Sequence, residues 1–374
     1  MTAEDVDRWS SLQIQREIPG SSQGRLLQLL HQNGDRSRAD LARAAGFTKA
    51  TVSSLVTEML EEGLIVETRR RPIGGRGRPA VDLNIDRENW RVVALDLSHD
   101  DGFYGAVLDL SGRVLHRDSI LSLAAQGEVA LQMAIELAER LCAAAAGRII
   151  GMGVSAPGIV DADGVVLASH NLRWTDVPLK DVLLERFDLP VSVENDANVA
   201  ALAERDRVGA QSDLMVVKLG YGVGSGIIAN GKLIHGSHYT AGEIGHIASG
   251  DSADYRCVCG RAGCLEATLS LPRLNARLSA ADERDRAEIL EDAGRILGNA
   301  LAPLVGALGT EVVILTGVSD EVADSLVVAA RDAMRPRLTE ESWASLDLRI
   351  SPLGDDLAFQ GAVSLVSSAV LGVP

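Results

Sequence analysis

Aromatic residues are scarce in this chain, with four each of Phe, Trp and Tyr among 374 residues. That leaves too few flat faces for a platform that stacks single-stranded nucleic acid. Cysteines number four, too few for a disulfide scaffold at this length. Long apolar runs are missing as well: the C-terminal AVSLVSSAVLGV is too short and too rich in serine to span a bilayer. The start, MTAEDVDRWS, is acidic and lacks an apolar core, so no signal peptide and no membrane partner are expected, and the protein is placed in the cytoplasm. Nor is there a basic excess. A net charge of −16 excludes a protein that coats nucleic acid with its whole surface.

The acidity is unevenly spread. Residues 1–85 hold 12 Lys/Arg against 11 Asp/Glu, and Arg69, Arg70, Arg71, Arg76 and Arg78 fall within ten positions that contain no acid. From Ser22 the hydrophobic spacing predicts three helices: one through Leu26, Leu27, Leu29 and Leu30 to Asn33-Gly34, one over Arg38–Ala45, and one from about Lys49 to Glu62 capped by Thr48. In the third, Val52, Leu55, Val56 and Met59 share a face, and Ala50, Ser53, Ser54 and Thr57 share the opposite one. A helix that is apolar behind and short-polar in front fits a major groove. LIVET and AVDLNI then read as two strands of a wing carrying Arg76-Gly77-Arg78-Pro79, whose guanidiniums suit a narrow minor groove. The expected contacts to double-stranded operator DNA are Arg38, Thr48, Lys49, Ala50, Thr51, Ser53, Ser54, Arg76 and Arg78.

Beyond this module the chain alternates strands and helices in two halves, each opening on a strand meander. The pattern predicts a two-lobed α/β domain with a cleft between the lobes. The expected division is a tail over 1–21, a winged helix-turn-helix over 22–86 and the two-lobed domain over 87–374. Within the second half, His246, Cys257, Cys259 and Cys264 are spaced H-x10-C-x-C-x4-C. Three soft thiolates and one imidazole suit a tetrahedral zinc ion with no open position for water, so the metal is expected to be structural. A further stretch, VVALDLSHDDGFYGAVLDLSGRV from Val92 to Val114, has the shape of a phosphate-gripping hairpin. Where glycines would let backbone N–H groups approach a phosphate it carries Ser98, His99, Asp100 and Asp101.

The sequence Glu243, Gly245, His246, followed by Cys257, Cys259, Gly260, Gly263, Cys264 and Glu266, reads E-x-G-H and C-x-C-G-x-x-G-C-x-E. In these residues, and over essentially its whole length, the chain resembles the ROK family of bacterial repressors and sugar kinases. An N-terminal winged helix is found in the repressor branch, which includes xylose, N-acetylglucosamine and glucose-response regulators. The resemblance implies a sugar-kinase-like, actin/RNase H-like fold for the second domain. It also implies a sugar site: Asn195 and Asp196, the latter at the position of the kinases' catalytic base, with Glu243, His246 and Glu266, His246 bridging sugar and metal. Gly158 and Asn171 match the loops that line the sugar.

Set beside the kinases' D-x-G-G-T, this chain keeps Asp96 but continues with Leu97, Ser98, His99 and Asp100. Two like charges 4 Å apart repel by about 4 kcal/mol at an effective dielectric near 20, so an added carboxylate disfavours a triphosphate. Tyr221 in LGYGVGSG stands for a small hydroxyl residue, and Thr316 in ILTGV for a glycine. The expectation is a repressor without catalytic residues, a homodimer or homotetramer whose operator affinity follows a sugar or sugar derivative. Two readings stay open: an active sugar kinase with a DNA-binding extension, and a regulator governed by a protein partner through a vestigial cleft. Neither the sugar's identity nor repression against activation is separated by sequence.

Overall fold

Three capped helices open the computed structural model, which describes residues 18–70, 81–122, 125–209, 212–249 and 256–373. Helix α1 (Ser22–Asn33) starts where Ser21 Oγ accepts from Gly24 N and ends at Gly34. Helix α2 (Arg38–Ala45) has a reciprocal capping box between Ser37 and Asp40. Helix α3 (Lys49–Glu61) begins where Thr48 accepts from Thr51 N. Leu26, Leu27, Leu41, Val52, Val56 and Met59 are fully buried between them. Strands β1 (Arg36–Ser37), β2 (Ile65–Arg70) and β3 (Val81–Ile85) form an antiparallel sheet in the order β1-β3-β2. Gly75, Arg76, Gly77, Arg78 and Pro79 lie outside the described residues.

The rest of the chain is one design used twice. In the first lobe β4 (Trp90–Asp96), β5 (Gly102–Asp109) and β6 (Val114–Leu121) form the meander, followed by α4 (Gly127–Ala144) and β7 (Arg148–Ala156). A flap of β8 (Ile159–Val160), β9 (Val166–Ser169) and β10 (Trp174–Val177) comes next, then α5 (Leu179–Phe187) and β11 (Val191–Asn195). Helix α6 (Asp196–Val208) leads into the second lobe: β12 (Leu214–Leu219), β13 (Val223–Ala229), β14 (Lys232–Leu233), α7 (Leu265–Leu269), α8 (Leu271–Ser279) and α9 (Glu283–Leu308). It ends with β15 (Val312–Thr316), α10 (Asp320–Met334), α11 (Glu340–Ser345) and β16 (Asp347–Ile350), after which α12 (Leu357–Val366) returns to pack on β4 and β7 of the first lobe. The sheets run β11-β7-β4-β5-β6 and β14-β13-β12-β15-β16. In both, the first three strands pair antiparallel and the last two add on in parallel.

Two expected strands come out shorter. IIGMGVSAPGIVD splits at Pro157-Gly158, because proline cannot donate to a ladder and Gly158 takes a φ of +102°. Of KLIHG only Lys232–Leu233 pairs, after an Asn230-Gly231 turn with both φ values positive. Among the described residues no helix is long and apolar enough to cross a membrane.

The winged module is fused to the first lobe through one continuous core. Leu26, Val56 and Leu83 share it with Trp90, Val92, Ile150, Val363 and Val366. Trp90 Nε1 donates to Gly63 O at 2.8 Å, and the Arg148 guanidinium lies 4.2 Å over the Trp90 ring. Gln28 Nε2 donates to Gly372 O at 2.9 Å, which ties α1 to the C-terminus.

Candidate functional site: ligand cleft, metal centre and DNA-reading face

All seven residues expected at the sugar line one recess between the lobes. Gly158, Asn171, Asn195, Asp196, Glu243, His246 and Glu266 surround a cavity of about 240 Å³. Each lobe places some of them: β11 runs into α6 at Asn195-Asp196, the flap supplies Asn171, and the segment before α7 supplies Glu243 and His246. Gly158 packs so closely under the flap that a Cβ there would meet Ala168 O at 2.1 Å. A wider groove of about 760 Å³ lies between α9 and α10, away from all of these residues.

Asn195 has no hydrogen-bonding capacity to spare. Its Oδ1 accepts from Ala197 N and Asn198 N as the N-cap of α6, and its Nδ2 donates to Gly158 O at 2.8 Å and to Asp196 Oδ1 at 3.2 Å. This geometry makes Asn195 a positioning residue that fixes both Asp196 and the flap loop. Glu266 accepts from Val223 N at 3.1 Å. Burial, with Asp196 and Glu266 close by, pushes the Glu243 carboxyl above its ordinary range.

Sequence reasoning missed the side chain at the centre. Lys218, on β12, donates from Nζ to Asp196 Oδ2 at 2.7 Å and to Ser98 Oγ of the other lobe at 2.6 Å. Ser98 donates in turn to Asp96 Oδ1 at 2.6 Å, and His99 Nε2 lies 3.1 Å from Asp96 Oδ2. Burial alone would raise Asp96; the Lys218 ammonium, His99 and Ser98 outweigh it and hold the carboxyl far below the usual range. Burial works against a charged Lys218 too, but Asp196 and Asp96 keep its pKa above the ordinary value. The signal was present in LMVVKLG, where one cation interrupts an otherwise apolar strand and must find carboxylates.

The hairpin of β4 and β5 therefore closes on itself. Ser98 N donates to Asp96 Oδ1 at 3.0 Å, and Tyr104 Oη donates to Asp101 Oδ2 at 2.8 Å. Groups that would have to face a phosphate are engaged with the loop's own acids.

His246, Cys257, Cys259 and Cys264 bring one ligand atom each to within 4.8 Å of one another. Zinc–sulfur bonds of ~2.3 Å in a tetrahedron set sulfurs roughly 3.8 Å apart, and Cys259 Sγ to Cys264 Sγ is 3.7 Å. His246 turns Nδ1 toward Cys257 Sγ at 3.6 Å and Nε2 toward Glu243 Oε2 at 3.9 Å. One ring thus spans the cluster and the cleft. The donor set fits a borderline-soft ion held by protein ligands alone.

On α3, Thr48, Lys49, Ala50, Thr51, Ser53, Ser54 and Thr57 are all exposed, while Val52, Val56 and Met59 face the core. Arg38 is half-buried, its Nη1 3.6 Å from Glu67 Oε1 on β2. The exposed face is made of small side chains, most of them hydroxyl-bearing, with Lys49 in the first turn. Arg76 and Arg78 lie outside the described residues.

Known proteins agree with this plan. The profile of the ROK family matches residues 93–369, and that of the MarR family matches residues 18–77. A xylose repressor of Caldicellulosiruptor bescii is 28% identical, covering 93% of this chain and 96% of its own. A glucokinase of Halalkalibacterium halodurans is 32% identical over 58% of this chain and 76% of its own length. A crystal structure of a ROK family transcriptional regulator, described as a homologue of the E. coli MLC protein, has the same fold, with a TM-score of 0.80 and 24% identity over 93% of this chain and 96% of that one. With a family profile covering most of its length and both lobes in place, the chain belongs to the ROK family, carrying a MarR-like winged helix at its N-terminus.

Proposed function

We propose that the protein is a transcriptional repressor that reads a sugar or sugar derivative by occupancy alone, without phosphoryl transfer, in the cytoplasm. One observation carries this reading: Lys218 sits on Asp196, the residue at the kinases' base position, inside a cleft that keeps its hydroxyl-reading groups. A general base must be free to accept a proton from the reacting hydroxyl. Here its carboxylate is already paired with an ammonium, and the same ammonium reaches Ser98 of the self-closed hairpin. Asp196, Glu243, His246 and Glu266 would bind hydroxyls, with Asn171 from the flap, while Gly158 and Asn195 set their positions. The ion held by His246 and the three cysteines is taken to be structural zinc, which orders the segment presenting His246 and Glu266.

The winged module moves with the first lobe because they share a core. Closure of the lobes on a sugar is transmitted by α6, which begins at Asp196 and is about 20 Å long. It crosses α12 where a Cβ on Gly361 would meet Val199 O at 2.1 Å. Past that crossing, Val366 and Leu371 lie in the core of the winged module. In a two-fold homodimer the recognition helices must sit about 34 Å apart, or a multiple, to meet successive major grooves. Lys49, Ala50, Thr51, Ser53 and Ser54 on α3, capped by Thr48, would face the major groove. Arg38 would reach the backbone, and Arg76 and Arg78 the minor groove.

Linkage tests the mechanism. Titration of D-xylose, D-glucose and N-acetyl-D-glucosamine with and without operator DNA should give a weaker sugar Kd on DNA, by the factor that sugar weakens operator binding. Equal sugar affinity in both titrations would retire the coupling.

A further inference from the structure

The recess that holds the sugar-reading residues does not end at its rim. It opens into a second recess of about 460 Å³ between the flap and the cysteine-rich loop, and the two share Ser169, His170, Asn171, Tyr221 and Val258 as a common wall. A third, of about 80 Å³, also meets Tyr221. The inner space, at about 240 Å³, is below the ~300 Å³ at which clefts for drug-sized ligands begin. It has the scale of one ring.

The two recesses differ in chemistry. Asp196, Glu243 and Glu266 all belong to the inner one, whereas no carboxylate lines the outer one. Its walls offer Gln126, Arg173 and Thr175 around the apolar surfaces of Tyr221 and Val258. Those two side chains are 46% and 65% exposed, large apolar groups on the rim. Residues 316–318, on the adenine side of the kinases' cleft, take no part. The outer recess is therefore not the lost nucleotide seat under another name.

The backbone of the flap also points to a ligand there. It holds Arg173 and Asp176 in the left-handed region, each with φ of 51°. Such conformations persist where the surroundings fix them, and they gather at ligand clamps.

We infer that the outer recess is a second sugar subsite, so that the effector is an oligosaccharide or glycoside of at least two rings, with its outer ring laid against Tyr221. A pyranose presents a face of C–H groups to an aromatic ring and a rim of hydroxyls to amides, imidazoles and guanidiniums, which is what this recess supplies. The replacement of a small residue by Tyr221 becomes a gain of ligand surface. This inference rests on the sugar-binding reading above.

Calorimetry on the full-length, zinc-loaded protein compares each ring with its dimer: D-xylose with xylobiose, D-glucose with cellobiose and maltose, N-acetyl-D-glucosamine with diacetylchitobiose. At least one dimer should bind tenfold or more tightly than its monomer, and Tyr221→Ala should reduce that preference to less than twofold, while Tyr221→Phe retains it. Monosaccharide binding with no preference for any dimer overturns the second subsite and leaves the sugar reading standing. A preference that survives Tyr221→Ala overturns the role of Tyr221. No binding of any sugar by the folded, metal-loaded protein overturns both.

Discussion

The two ends of the cleft have diverged in opposite ways. Around the inner recess, Asp196, Glu243, His246 and Glu266 converge from both lobes, and Asn195 is fully engaged with Asp196, Gly158 and the start of α6. At the β4–β5 hairpin, Ser98, His99 and Asp101 bond to the hairpin's own residues, and Lys218 takes the centre. The lesson is that a cation can pair with Asp196 while Glu243, His246 and Glu266 still line the same recess.

The comparison would break most severely on removal of the proposed metal. Structural zinc contributes on the order of 10–16 kcal/mol in small zinc modules, and the proposed ligands here include His246 of the cleft. Chelation, or Cys264→Ser, should abolish sugar binding in calorimetry and lower the thermal midpoint by many degrees. Operator binding without sugar should suffer less, because α3 and the wing sit in a different core.

Asp196→Asn sharpens the contrast next. It strands the Lys218 ammonium and deletes a charged acceptor, so sugar affinity should fall by about 2 kcal/mol, roughly thirtyfold. Thermal stability should fall as well. Gly361→Val overfills the α6–α12 crossing at a cost of about 1–3 kcal/mol. Sugar and operator should each still bind, yet their mutual effect should shrink in the linkage titration. Arg78→Ala should weaken operator binding across sequences and reduce the slope of log K against log salt by about one.

The smallest effect is pH dependence at the hairpin. The hydrogen bond to Asp96 raises the His99 pKa above its ordinary value, about 6.5. That contact contributes fully below the ordinary value and fades as pH rises through the higher folded one. Asp96, held low, contributes above the ordinary carboxylate range and is lost only in strong acid. Thermal midpoints from pH 6 to 9 should therefore drift down slightly more in the wild type than in His99→Gln.

Much of this was legible in the sequence, for local reasons. The ends of α1, α2 and α3 follow from Ser21, Ser37, Thr48 and the glycines after them, which act within a few residues. The cysteine cluster is equally local, its spacing written in one loop. Lys218 stood out as one cation in an apolar strand, but its partners were not legible: Ser98 and Asp196 lie 120 and 22 residues away, and only the folded cleft brings them together. The fusion of the winged module to the first lobe was hidden for the same reason: Trp90 donating to Gly63 and Gln28 to Gly372 are contacts between segments that read as separate. The flap strands escaped because they are two to four residues long, and the first reads as part of the strand from which Pro157-Gly158 separates it.

The most direct test is an assay of phosphoryl transfer by the purified, zinc-loaded chain with magnesium–ATP and the sugars it binds, followed by phosphorus NMR. A sensor that works by occupancy yields no sugar phosphate while sugar still releases the operator. Sugar phosphate formed by the wild-type chain, and lost in Asp196→Asn, would contradict the account.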